Sequence, residues 1–109
     1  MAKNSKLKKR QQLLLQIDQG IKNANRDIIH EHIPPVTAES IMPLAVSVAR
    51  LRARYLESAY KFAELEHGGA LEDSAIKALR KHQEKYEAAR DAFEALTTAI
   101  ERGYVKAGG

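Results

Sequence analysis

Glu64 and His67 form a Glu-x-x-His pair, the spacing with which di-iron carboxylate bundles place two ligands on one helical face. Such a centre needs the motif twice, together with two further inward carboxylates. Neither is supplied, and Leu79 stands where a partner for His82 would be required. A surface acid beside a histidine that suits the negative end of a helix accounts better for the pair, which leaves Glu64 and His67 as weak metal candidates. His30 and His32 flank Glu31, but side chains two apart on a helix point to opposite sides, and no third ligand is near.

His82 falls on an apolar helical series with Tyr55 roughly opposite. A Tyr-His hydrogen bond inside a helical core is expected there rather than a catalytic couple, because no third group completes one. The sequence carries no Ser-His-Asp order, no glycine-rich phosphate loop and no clustered carboxylate dyad. It has no cysteine, so disulfides, thiolate nucleophiles and cysteine metal sites are excluded together. No catalytic residue, no cofactor and no enzyme activity are expected.

Charge offers a different chemistry. The formal net charge is +4 and the isoelectric point about 9.4. The excess sits at one end: Lys3, Lys6, Lys8, Lys9 and Arg10 carry +5 with no acid among the first ten residues, and the other 99 residues hold 13 basic against 14 acidic side chains. These five are the candidate phosphate-binding residues, through a basic arm that grips nucleic acid without reading sequence, or lies on an anionic membrane surface with Leu7 and Leu13 to Leu15 dipping in. A solvated terminus that aids solubility is the plainer account. Arg50, Arg52 and Arg54 form a second basic set, expected to be neutralised by acids of a facing helix.

The elements that would position these residues are helical. At 109 residues, 44% hydrophobic and 29% charged, with 6 glycines and 3 prolines, the chain suits one soluble all-α domain spanning 7–103. Leu7, Leu14, Ile17, Ile21, Ala24 and Ile28 fall three, four or seven apart, predicting a first helix over about 7–32 behind a frayed arm at 1–6. Gly20 invites a kink, and Pro34 and Pro35 force a stop. A second helix over about 40–67, capped by Ser40 with Pro43 in its first turn, carries the seam Ile41, Leu44, Val48, Leu51, Tyr55, Phe62 and Leu65, with Ser58 its polar member. Gly68-Gly69 predicts the tip of a hairpin. A third helix over about 70–102, ended by Gly103, carries Ala75, Leu79, His82, Tyr86, Ala89, Phe93, Leu96 and Ile100, and residues 104–109 read as a loose tail.

Folding the two long helices antiparallel about the glycines sets opposite residues whose numbers sum to about 137. Large then faces small, as with Phe62 over Ala75 and Leu79 over Ser58, and Glu57, Glu64 and Glu66 face Lys77, Arg80 and Lys81 while Arg50 and Arg54 face Glu84, Glu87 and Asp91. The first helix covers this hairpin within one chain as a three-helix bundle, or across a dimer. Leu13, Leu15, Ile29, Val46, Leu56, Tyr60 and Ile76 lie outside the seams and form the expected interaction surface, which favours a homodimer. With no run approaching about 20 apolar residues, no transmembrane segment is expected, and with no signal-peptide core a cytoplasmic location is. The function these features favour is a non-enzymatic protein-protein interaction module, an adaptor, small chaperone or assembly factor; the alternative is nucleic-acid association through the arm, and a metal-binding bundle is a distant third.

Overall fold

A computed structural model describes residues 2–67 and 72–109, the side chains of residues 2, 3, 66 and 67 excepted. The chain is all-helical: α1 spans Ala2–His32, α2 Ala38–His67 and α3 Asp73–Glu101. The expected Gly68-Gly69 tip lies outside the described residues. By their contacts the helices and their flanks form two compact units, one of the chain up to Val36 with Ala99–Gly109, the other of Thr37–Thr98.

In the first unit, α1 begins at Ala2, five residues before the start that apolar spacing predicts, so residues 2–6 are helical rather than a frayed arm. Periodicity missed this because the first apolar side chain on the series is Leu7, whereas Lys6 to Gln16 contains only strong helix formers. The helix runs through Gly20 without a break. Local side-chain links brace this weak stretch: Lys22 pairs with Asp18 at 3.5 Å, Gln19 donates to Asn23 at 3.1 Å, and Asn25 donates to the Ile21 carbonyl at 3.0 Å. The last turn closes with Ile33 N to Ile29 O at 2.9 Å, immediately before Pro34 and Pro35 remove the next donors.

The tail of this unit is tied down, contrary to the loose end its Ala-Gly-Gly sequence suggests. Gly103 has φ +75 and ends α3 in a Schellman arrangement, with Gly103 N to Ile100 O at 3.0 Å and Tyr104 N to Ala99 O at 2.8 Å. Val36 and Ala107 then form an isolated parallel bridge, in which Val36 N donates to Lys106 O at 2.8 Å and Gly108 N to Val36 O at 2.7 Å. Val105 is 2% exposed. Its burial and the three-residue bridge outweigh the terminal composition.

In the second unit, α2 starts at Ala38, and its cap is Thr37 rather than Ser40. The two residues cap each other: Ser40 N donates to Thr37 Oγ1 at 3.1 Å and Thr37 N to Ser40 Oγ at 2.8 Å. This reciprocal box satisfies two orphan donors at once, which a Ser40 cap alone would not. Pro43 consequently sits inside the helix, one turn deeper than expected. The α3 start falls at Asp73, where its carboxylate meets the positive end of the helix dipole.

Helices α2 and α3 pack together in the antiparallel sense that the seams predict. Every expected seam position of α3, from Ala75 to Ile100, is half-buried, and on α2 Ile41 to Phe62 are half-buried or, for Val48, buried. Leu65 is the exception, at 51% exposed. The cross-helix charge matching does not form among the described residues, and the Glu66 side chain lies outside them. Among the described residues the ion pairs are all local, between side chains one or four apart, as in Lys61 with Glu57 at 2.9 Å and Arg90 with Asp91 at 3.2 Å. An i,i+4 partner on the same helix lies within reach at no cost in register, so it wins over a long side chain stretched across the groove.

Candidate interaction surfaces

The aromatic contact between α2 and α3 joins Tyr55 and Tyr86, stacked with centroids 5.9 Å apart at 26°. Tyr55 is expected opposite His82; it stacks instead on Tyr86, one turn further along α3. No Tyr55-His82 hydrogen bond forms among the described residues, and His82 is half-buried. Tyr86 collects two arginines as well. Arg52 Nε donates to its hydroxyl at 3.2 Å with Cζ 5.3 Å from the ring centroid, and Arg90 Cζ lies 5.4 Å from the same centroid. The Arg52 hydrogen bond, reinforced by Arg90, holds the phenol below its ordinary range against partial desolvation. The signal for this contact was present in the sequence, since Arg52 and Tyr86 nearly satisfy the predicted register, but Arg52 was assigned with its neighbours to acidic partners.

A cleft of about 300 Å³ lies nearer the end of α2, floored by Phe62, Leu65, Ala75 and Ala78 and edged by Arg54, Glu57, Ser58, Lys61 and His82. Phe62 and Ala75 thus share the site that the register predicts. Glu57 and Lys61 are bound to one another: the Lys61 ammonium holds the carboxyl below the usual range, and the carboxylate raises the ammonium in return. The cleft thus has an apolar floor and an ionic rim fixed by the Glu57–Lys61 pair.

Of the metal candidates Glu64 and His67, only Glu64 has a described side chain. It is exposed, and no group of three or more metal-ligating side chains occurs among the described residues. His30 and His32 separate as their spacing requires, with His32 exposed and His30 half-buried. The Nε2 atom of His30 is buried without a hydrogen-bond partner, a feature that sequence reasoning did not anticipate.

The basic residues lie on the opening turns of α1. Lys6, Lys8, Lys9 and Arg10 are exposed and take part in none of the ion pairs among the described residues, while the Lys3 side chain falls outside the description. Arg50 and Arg54 are likewise exposed and without an ion pair there, so the acids expected to neutralise them do not.

Of the seven apolar residues expected at the surface, six are open: Leu13 at 56%, Leu15 at 68%, Val46 at 41%, Leu56 at 59%, Tyr60 at 70% and Ile76 at 40%. Ile29 is instead half-buried. On α1, Leu7, Leu14, Ile17, Ile21 and Ile28 of the apolar series are each 48% or more exposed, so of the two ways of covering that face, within one chain or across a dimer, the single chain does not cover it. No helix among the described residues is long and apolar enough to cross a membrane. No protein-family model, curated protein sequence or solved structure matches the chain, so similarity contributes nothing beyond these surfaces.

Proposed function

We propose that the chain is a non-enzymatic α-helical interaction module of the cytoplasm, homodimeric, that offers its remaining helical surface to another protein as adaptors, small chaperones and assembly factors do. The observation that carries this reading is an imbalance of apolar surface. Val48 and Val105 are the buried hydrophobic residues among those described, against thirteen large apolar side chains that are 40% exposed or more. Scattered single residues of this kind are ordinary, but here they recur at helical spacing along α1 and, in the pairs Met42 with Val46 and Leu56 with Tyr60, on α2, which is the form a helix-binding face takes. The apolar floor at Phe62, Leu65, Ala75 and Ala78 supplies a recess for a partner's side chain. Light scattering combined with binding of a hydrophobic dye tests the proposal: a dimer is expected, and a strict monomer that binds no dye overturns it.

A second reading, nucleic-acid association, is supported by the unpaired cations Lys6, Lys8, Lys9 and Arg10 on consecutive turns of α1. A dimer doubles that charge, giving salt-sensitive binding without sequence preference. Mobility-shift assays at low salt should show a complex that is lost on deletion of residues 1–10; a shift indifferent to the deletion eliminates this reading.

A further inference from the structure

Leu7, Leu14, Ile21 and Ile28 repeat at intervals of seven along α1, and Ile17 and Ala24 each follow one of them by three. A straight helix at 3.6 residues per turn lets such a series drift around its axis, so the 3-4 spacing kept from Leu14 through Ile17, Ile21 and Ala24 to Ile28, with Leu7 one heptad earlier, is the pattern of a helix that supercoils about another. The four repeating residues are 49%, 58%, 52% and 58% exposed. Where α1 does lose surface it does so away from that face, at Asn23, Asn25, Ile29 and His30, with Ile33 just beyond its end, while Ile21 and Ile28 stay open. Two faces are therefore distinguished on one helix, and the heptad face is the unpartnered one.

We propose that this face pairs with α1 of a second copy of the chain, antiparallel, along the seam from Leu7 to Ile28. The pairing rests on the homodimeric reading above and gives it an interface. Charge selects both the occupant and the direction. The seam is strongly basic at one end, with Lys6, Lys8, Lys9 and Arg10, and net acidic at the other, where Arg26 pairs with Asp27 at 3.6 Å and Glu31 is the acid left over. Arg10 follows Leu7 by three and Glu31 follows Ile28 by three, so these two occupy the terminal positions of the seam itself. Side by side in a parallel pair, Arg10 would meet Arg10 and Glu31 would meet Glu31, with the lysines stacked around the first contact. Turned end to end, each basic end meets the acidic end of the other copy at both extremities, and the helix dipoles oppose. A helix bearing both halves of its own complement at opposite ends is matched by a reversed copy of itself. Leu15 falls outside the seam and remains in solvent.

The absence of cysteine makes a direct test clean, because any engineered thiol is the sole one in the chain. Gly20 lies near the middle of α1, with open space around the position a side chain would take, and Lys6 and Asp27 lie towards its two ends. Full-length chains carrying Gly20→Cys, Lys6→Cys or Asp27→Cys are treated with a short bis-maleimide, singly and mixed, with light scattering on the same samples. The expected result is a Gly20→Cys homodimer and a mixed Lys6→Cys with Asp27→Cys product, with no Lys6→Cys self-product, since in a reversed pair those positions sit at opposite ends. Ile21→Glu, placing a charge in the seam, should weaken the dimer about 100-fold or more with helicity retained, while Leu15→Glu leaves it unchanged. A Lys6→Cys self-product overturns the antiparallel pairing. Dimers by scattering that give no α1 cross-link, or that ignore Ile21→Glu, place the contact on another surface and overturn the inference while sparing the homodimeric reading. Monomers throughout overturn both.

Discussion

Gly108 N donates to the Val36 carbonyl at 2.7 Å, which fixes the last residues of the chain beside the segment that leaves α1. The anchor within that contact is Val105, at 2% exposed. Truncating it to Ala should cost about 1.5 to 3 kcal/mol, the value of a fully buried aliphatic side chain, and Val105→Asp more. Urea unfolding followed by circular dichroism measures this; a loss within 0.5 kcal/mol, roughly the scatter of ordinary surface substitutions, would mean that the tail is not held by its valine.

Two glycines should respond in opposite directions. Gly103 adopts φ +75 at the end of α3, where an L side chain is strained, so Gly103→Ala is expected to destabilise by about 1 to 2 kcal/mol. Gly20 lies within α1 with nothing within 4 Å of an added Cβ, so Gly20→Ala should stabilise by about 0.5 to 1 kcal/mol. Thermal melts of the two variants separate these outcomes by sign alone.

Thr37 and Ser40 each hold the other's amide. Thr37→Ala and Ser40→Ala are each expected to cost about 1 kcal/mol, and the double variant less than their sum, because either change already opens the box. Strict additivity would show that the two caps act independently.

Tyr86 should ionise below the ordinary range of a phenol, since Arg52 donates to its hydroxyl and Arg90 lies beside it. A spectrophotometric tyrosinate titration of the folded chain is expected to resolve this early phenol, and Arg52→Gln to return it towards the ordinary range. The folded phenol is depressed, so its linkage contribution is fully present above the unfolded value near 10 and is lost as pH falls through the folded one. Stability attributable to this group therefore appears only in alkaline solution. A titration with no phenol below the ordinary range would count against the Arg52 contact.

Helix positions and faces were legible in the sequence because each rests on a local rule. The α3 seam from Ala75 to Ile100 is half-buried along its whole length, and Gly103 stops that helix as a glycine beyond a periodic series should. What escaped were choices between competitors of similar local merit. Ser40 and Thr37 are both acceptable caps, and only their reciprocity decides. Glu57 can reach a cation across the groove or Lys61 one turn away, and the nearer partner prevails. Tyr55 can face His82 or Tyr86, and ring stacking with two arginines alongside favours the latter. Leu13, Leu15, Val46, Leu56, Tyr60 and Ile76 are open as residues outside the seams should be, and the 3-4-7 series of α1 marks a face that wants a partner without saying whether the same chain or a second one provides it.

The bridge between Val36 and Ala107 also orders events in time. It joins segments separated by more than sixty residues of hairpin, so the unit it belongs to is discontinuous in sequence, made from the first third of the chain and its final eleven residues. In an unfolded chain, closing a loop of that span is entropically expensive and slow. Once α2 and α3 have zipped together, the intervening hairpin no longer counts at its full contour length, and only the short flanks need to find one another. The hairpin between them thus shortens the effective loop that the Val36–Ala107 bridge must close.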